Sequence, residues 1–353
     1  MLRRRVWLAA IGASMLADSV QAAAAPMNYF LHSEGPISAD VRMLGWVFAA
    51  ICILVCGLIA GLLLYATLRV RPAVANNPDA ATAGVMGPVT RSGGNSGLRA
   101  VAIGTGISTL ILVAMTIYAL VVLERTAHPA APVALTVDVT GFDWWWRVDY
   151  GDGDAAQHFV TANEIHIPVG VPVRLRLASA DVIHAFWVPL LAGKTQMIPG
   201  LVNEQWLQAD RPGVYRGQCT QYCGVQHAHM AVEVVAQSQS EFDAWLAAQR
   251  QPAHAVSQTD IGAVLPAGRK LFMERCAGCH TVRGTEAVGP NGPDLTHLNS
   301  RRQIGAGLMS NTPAHLIDWI THAQELKPGA RMPSMPLTSP ESGALSAYLA
   351  TLD

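Results

Sequence analysis

The twelve residues CTQYCGVQHAHM, Cys219 to Met230, decide how this chain is read. Cys219, Cys223 and His227 follow one another at steps of four, and Met230 comes three later. Two thiols, an imidazole and a thioether set that close suit a soft transition-metal ion. A second imidazole is available upstream, His184 in ADVIHAFWVP (residues 180–189), just after a strand-like run. A structural zinc site also takes two Cys and two His. Three features weigh against it: zinc gains little from Met230, the ligands come from two loops instead of a compact finger, and Phe186, Trp187 and Tyr222 crowd the neighbourhood. A blue-copper site needs one thiolate, two imidazoles and a weak axial Met, so one thiolate is in excess here. Two bridging thiolates can hold two copper ions that share one electron. A binuclear copper centre is therefore expected, with zinc as the competing reading.

Around this cluster the sequence has period two. LTVDV, EIHIPVG, VRLRL and MAVEVV alternate apolar and polar side chains, with Gly and Pro between them. The pattern predicts a small antiparallel sandwich or barrel over 130–237. SEFDAWLAAQR (residues 240–250) reads as a short amphipathic helix and QPAHAVSQTD (251–260) as polar linker. Residues 238–262 thus join the sandwich to a last domain, 263–353, whose periodicity is helical. A flexible coil of roughly 25 residues would hold that domain within about 25–30 Å of the sandwich. The final helix is expected to start at Ser339 as N-cap with Pro340 first inside, burying Leu345, Tyr348, Leu349 and Leu352.

The N-terminal third is of another kind. MLRRRVWLAAIGASMLADSVQAAAAP has a basic start, a short apolar run and small residues suited to cleavage, which predicts a signal peptide over 1–25. Two uncharged apolar runs follow at 43–68 and 100–123, each longer than the roughly 20 helical residues that cross a ~30 Å hydrocarbon core. Both read as transmembrane helices. The loop 69–99 between them holds Arg69, Arg71, Arg91 and Arg99, which marks it as cytoplasmic and places the large C-terminal part on the periplasmic side of the cell's inner membrane. A formal net charge of −1 over 353 residues gives no reason to propose a nucleic-acid partner. Of the six cysteines, Cys52 and Cys56 lie in the first span and read as small packing residues.

CAGCH, Cys276 to His280, matches the haem c attachment pattern. Each thiol adds to a haem vinyl group and His280 becomes an axial ligand. The sixth ligand should be a Met well downstream, and KPGARMPSMPLTSP (327–340) supplies Met332 and Met335.

DVIHAFWVP, KTQMIPG and GQCTQYCGVQHAHM resemble subunit II of haem–copper cytochrome c oxidases. The resemblance implies a two-helix transmembrane hairpin carrying an all-β cupredoxin-like domain, with His184, Cys219, Cys223, His227, Met230 and the backbone carbonyl of Gln221 holding a binuclear copper A centre. His229 is left as a polar surface residue. Where the family commonly has Glu this chain has Gln221, which puts magnesium binding in doubt. GFDWWWRVDY (141–150) resembles the family's aromatic patch, in which an exposed Trp passes electrons to copper, and Trp144 matches that position. The last domain is similar to all-α class I cytochromes c, where Met-Pro precedes the final helix. That favours Met332 as axial ligand, with Cys276 and Cys279 as thioether attachments and Pro293 lining the haem. The whole resembles subunit II of caa-type oxidases. Its implied role is to take electrons at a covalent haem c and pass them through copper to an oxygen-reducing subunit I, coupled to proton translocation, with subunit III as a further partner and no donor specified. The electron-input subunit of a nitric-oxide reductase, or a membrane copper-delivery protein, are the alternatives.

Overall fold

The computed structural model describes residues 31–69, 95–151, 157–253 and 264–353. The expected signal peptide and nearly all of the loop between the two apolar runs lie outside the described residues, as does the end of the linker.

Helix α1 spans Pro36–Leu68 and α2 spans Ser96–Ala127. Each is longer than the apolar run that predicted it, and the extra turns have a purpose. Ile37 and Ser38 are buried, and the Ser38 hydroxyl donates to the Leu190 carbonyl at 2.6 Å. Glu34 and Asp210 join in: Glu34 N–H donates to Leu190 O and Asp210 N–H to Glu34 O, both at 2.8 Å. At the far end of α2, the Trp206 indole donates to the Thr126 carbonyl at 2.8 Å. The start of α1 and the end of α2 are therefore both fastened to the β-domain, as a hairpin requires. Between those fastened ends the helices expose Leu, Ile and Val along most of their length, a surface that fits a membrane protein.

The β-domain is a sandwich of two five-stranded sheets among the described residues. One sheet runs β3 (Phe159–Ala162), β2 (Trp145–Tyr150), β1 (Leu135–Phe142), β5 (Val173–Ser179), β8 (Asn203–Leu207). The other runs β4 (Glu164–Pro168), β10 (Ala231–Gln237), β9 (Gly213–Cys219), β6 (His184–Trp187), β7 (Thr195–Met197). Period-two burial holds: Val137 and Val139 in β1, Trp146, Val148 and Tyr150 in β2, Val173, Leu175 and Leu177 in β5 all point inward. Each large apolar side chain fully removed from water contributes about 1.5–3 kcal/mol. The expected antiparallel pattern is only partly met, because β1 pairs with β5 and β4 with β10 in parallel. Between β1 and β5 the chain leaves for the opposite sheet through β4 and re-enters at the end from which β1 started.

The segment 238–253 is packed structure and not a free tether. Helix α3, Gln239–Arg250, opens with a capping box between Ser238 and Glu241. It lays Trp245 flat on His166, ring centroids 4.0 Å apart, which covers that imidazole in a strand, β4, whose five residues are all buried. Ala253 belongs to the core of the last domain, its N–H donating to Arg283 O at 2.9 Å.

That last domain is helical. Helices α4 (Val264–Arg275) and α6 (Ser339–Leu349) cross so closely that a Cβ on Gly268 would sit 2.0 Å from the Ala344 carbonyl oxygen. Phe272 and Tyr348 pack beside that crossing at 5.3 Å. Leu345, Tyr348, Leu349 and Leu352 are buried as expected. The cap of α6 falls one residue earlier than expected, on Thr338, whose hydroxyl accepts from Glu341 N–H while the Glu341 carboxylate reaches back. The capping box decides this: three residues after Ser339 stands Ser342, which has no carboxylate to return. Helix α5, Pro313–Leu326, lies between and is capped by Thr312.

Candidate copper and haem centres

Three loops converge at the open end of the sandwich. Cys219 closes β9, His184 opens β6, and residues 220–230 fold back so that Cys219 N–H donates to Met230 O at 2.9 Å. The Cys219 and Cys223 sulfurs lie 3.8 Å apart, too far for a disulfide. Nδ1 of His184 is 3.8 Å from the Cys219 sulfur and Nδ1 of His227 is 3.6 Å from that of Cys223. The Met230 sulfur stands 3.9 Å from Cys223, and the Gln221 carbonyl oxygen 3.2 Å from Cys219. All six atoms assigned from the resemblance thus lie in one cluster, in which His184, Cys219, Cys223 and Met230 are buried and Gln221 and His227 half-buried. A donor set of two thiols, two imidazoles, a thioether and a carbonyl fits copper better than zinc.

The electrostatics agree with such a set. The Cys223 thiol hydrogen-bonds to Cys219, and with His184 this lowers the pKa of Cys219 against the opposing effect of burial. Cys223 is driven up by the same hydrogen bond and by burial. The pair therefore sheds one proton readily and holds the second until a cation arrives. Burial works against a charged His184, but hydrogen bonds with Cys219 and Asp181 raise its pKa overall. Nε2 of His184 donates to the Asp181 carboxylate at 2.9 Å, leaving Nδ1 for the metal. Asp181 in turn accepts from the Asp143 backbone N–H at 2.8 Å. Gly141 backs the ring: no larger residue fits behind it, since a Cβ there would be 2.8 Å from His184 Cδ2.

The three adjacent tryptophans go three ways. Trp146 is fully buried and meets Phe186 edge-on at 5.7 Å, while Trp145 stacks outward on Phe142 at 4.8 Å. Trp144 donates its indole N–H to the Cys223 carbonyl at 2.9 Å. An exposed Trp144 was the expectation, yet only 9% of it is exposed. The helical domain covers it, with Gly329 seated on the ring.

Behind Trp144 opens a large cavity of the helical domain. Cys276, Cys279, His280, Pro293, Met332 and Met335 line it, with an apolar wall of Phe272, Leu295, Leu298, Ile320 and Leu349. Nδ1 of His280 donates to Pro293 O at 2.8 Å, which leaves Nε2 for a metal. Burial lowers its pKa and keeps the ring neutral, as a ligand must be. A Cβ on Gly292 would touch that ring at 2.7 Å, so His280, like His184, is seated against a glycine. Arg301 is buried in the wall, and its Nε has no hydrogen-bond partner among the described residues. An orphaned guanidinium nitrogen in an apolar cavity fits a ligand that carries carboxylates. Haem meets that requirement.

Trp145, Asn163 and Lys327 escaped the sequence reading. Trp144, Trp145 and Asn163 of the sandwich also line the haem cavity, so two domains build it. Lys327, at the end of α5, is buried at the joint. The signal for Lys327 was the lone Lys before Pro-Gly in KPGARMP, which by itself names no partner.

A membrane-anchored cupredoxin-like sandwich with a two-cysteine soft-metal site, joined to a haem-binding helical domain, defines a class of respiratory electron carriers. The comparisons narrow it. Residues 153–238 match the model of the cytochrome c oxidase subunit II periplasmic domain, and residues 266–353 match cytochrome c. Cytochrome c oxidase subunit 2 of Alkalihalophilus pseudofirmus is 38% identical over 218 residues, 61% of this chain and 60% of that protein. The subunit 2 of Bacillus sp. strain PS3 is 28% identical over 229 residues, 62% of each. Among solved structures, the periplasmic domain of subunit II of cytochrome oxidase of Bradyrhizobium japonicum matches at 31% identity and TM-score 0.32, over 35% of this chain and 97% of that one. The chain thus carries a cytochrome c oxidase subunit II periplasmic domain and a fused cytochrome c domain, and its curated relatives are named cytochrome c oxidase subunit 2; the combination fits the caa type. The first domain implies copper and the second haem. The alignments span about 60% of the length of these curated relatives.

Proposed function

We propose that this chain is the electron-input subunit of a respiratory haem–copper oxidase. Cys276, Cys279, His280 and Met332 would hold a haem c for electron entry, and His184, Cys219, Gln221, Cys223, His227 and Met230 would hold a binuclear copper centre for electron exit. Electrons continue to an oxygen-reducing subunit I, coupled to proton translocation, in an inner-membrane complex that also holds subunit III. Bound haem and bound copper would each supply a one-electron carrier.

The observation that carries the reading is the position of Trp144. Its ring lines the haem cavity while its N–H is bonded to the carbonyl of Cys223. One side chain thus bridges the two ligand sets. The protein's other contributions are orientation and dryness: Asp181 and Pro293 fix the ring nitrogens that face each metal, and Phe186, Met197 and Trp146 exclude water beneath the copper cluster. Between Cys219 and Cys223 the loop is short enough to keep both sulfurs in place whether the cluster holds one more electron or one fewer.

Purification of the complex with its partner subunits tests the reading. Two copper atoms and one covalent haem per chain are expected, with turnover on oxygen. One zinc and no copper, or turnover on nitric oxide in place of oxygen, would refute it.

A further inference from the structure

Lys327 ends α5 of the haem domain and is 3% exposed. Its ammonium donates to three backbone carbonyls: Trp144 at 2.9 Å, His229 at 2.7 Å and Gly305 at 2.8 Å. An ammonium has three N–H bonds and all three are matched. The first acceptor belongs to the loop that bridges to copper, the second to the residue before Met230, and the third to the haem domain itself. No carboxylate is among the three. This is therefore no sliding surface ion pair but a fixed, directional joint among three segments.

Its surroundings make the joint durable. Buried carbonyls left without a donor are costly, about 1–3 kcal/mol each, so withdrawing Lys327 strands more than one group at once. Neighbouring bonds run the same way across the boundary. Gln226 donates to Pro328 O at 2.9 Å, Ala231 N–H to Ala306 O at 3.0 Å, and Gln303 to the Glu233 carboxylate at 2.8 Å. Arg331 reaches Asp181, the carboxylate that orients His184, at 3.3 Å. These surround Lys327, whose ammonium bonds to the Trp144 loop and the copper loop together.

Resting on the function proposed above, we infer that Lys327 is a positioning residue: it latches the haem domain over Trp144 so that haem-to-copper transfer proceeds from one docked geometry and no external donor reaches Trp144. The chain then has a single electron port, the haem.

The test uses the detergent-solubilised full complex. Amine-reactive labelling followed by mass spectrometry should modify Lys327 at least about tenfold more slowly than Lys270, because opening a buried joint precedes reaction; the Lys270 side chain is 77% exposed. Lys327→Met should expose Trp144 to hydroxyl-radical oxidation while the absorption bands of both centres stay in place. After photo-reduction of the haem, transfer to copper in the wild type should be one phase, unchanged by salt. In Lys327→Met it should slow by about tenfold and lose its single phase, because opening and re-docking of the domain then precede transfer. Labelling of Lys327 at the rate of Lys270 overturns the latch, even if Lys327→Met fails to assemble. So does a Lys327→Met protein in which Trp144 stays protected and transfer is unchanged. The labelling arm needs no copper, so an absence of copper would sink the proposed function without touching the latch.

Discussion

Replacing Gly141 by alanine should damage the copper site and little else. The backbone at Gly141 is not in the left-handed region, so the substitution strains no dihedral. The new methyl would lie 2.8 Å from Cδ2 and 3.1 Å from Cγ of His184, against an ordinary contact that begins at 3.4 Å. The imidazole must therefore retreat by about 0.6 Å, several times the ~0.2 Å by which metal–ligand distances vary. It has little room, since His184 is fully buried and its Nε2 is held by Asp181 at 2.9 Å. Overpacking of this kind costs about 1–3 kcal/mol. Where that strain opposes metal binding, copper affinity should fall by about 10- to 100-fold, the range seen when a ligand's supporting partner is lost. Titration of the solubilised protein with a competing chelator measures the affinity, with haem absorbance in the same chain as the internal count. Gly213→Ala serves as control, because the nearest atoms to its Cβ lie at 3.5 Å in ordinary contact with Tyr215. Copper held by Gly141→Ala as firmly as by the wild type would refute the claim that His184 is seated by the absence of a side chain.

Two further outcomes follow from single residues. Met332→Leu should abolish the thioether–iron absorption band and Met335→Leu should leave it, because of the two Met-Pro pairs before α6 it is Met332 whose spacing resembles class I cytochromes c; the opposite result moves the ligand to Met335, which lines the same cavity. Gln221 offers its carbonyl to the copper cluster and keeps a half-buried amide where the family commonly has Glu. Gln221→Glu should tighten manganese binding seen by spin resonance beside the copper cluster, and an unchanged signal would mean that this side chain faces no second metal.

The ligand sets were legible because metal chemistry is local in sequence. CTQYCGVQHAHM and CAGCH each bring most of a ligand set within a dozen residues, and a strand end or a helix end then folds them together. The sandwich was legible for a similar reason: inward residues alternate along each strand, as in Val137 and Val139 or Leu175 and Leu177. Parallel pairing left no such mark, since alternation is the same whichever way the neighbour runs. What period-two reasoning misjudged was the second face. Glu164 and Glu233 occupy positions that read as solvent-facing, yet they are 4% and 6% exposed. The parallel register sets Glu233 opposite Glu164, and Arg302 and Gln303 of the haem domain then close over both. Burial and the neighbouring Glu164 raise the pKa of Glu233, and Arg302 opposes them. A polar residue on a strand's outer face marks solvent only when no second domain is docked there, and a single strand carries no record of that.

The haem domain, residues 263–353, is near-neutral, with eight Lys/Arg against seven Asp/Glu, and the same docking changes how that is understood. A flexible tether would explain it by effective concentration alone: a domain held nearby needs no charge to find its site. The structure supplies a stronger reason. The cavity that receives haem is walled in part by Trp144, Trp145 and Asn163 of the copper domain, so release of the haem domain would open its own apolar cavity to water. Hydrophobic closure therefore holds the two domains together along with the hydrogen bonds of Lys327, Gln226 and Gln303. Closure of this kind has little dependence on salt, whereas association steered by exposed charge weakens as salt screens it. The charge that does appear at the joint is paired, a largely buried carboxylate with an exposed arginine in each case, Arg302 with Glu233 and Arg331 with Asp181, where it fixes register. Under the proposed function, the arrangement makes distance, set by Trp144 between haem cavity and Cys223, the quantity that governs transfer, and leaves search and encounter to the donor that meets the haem from outside.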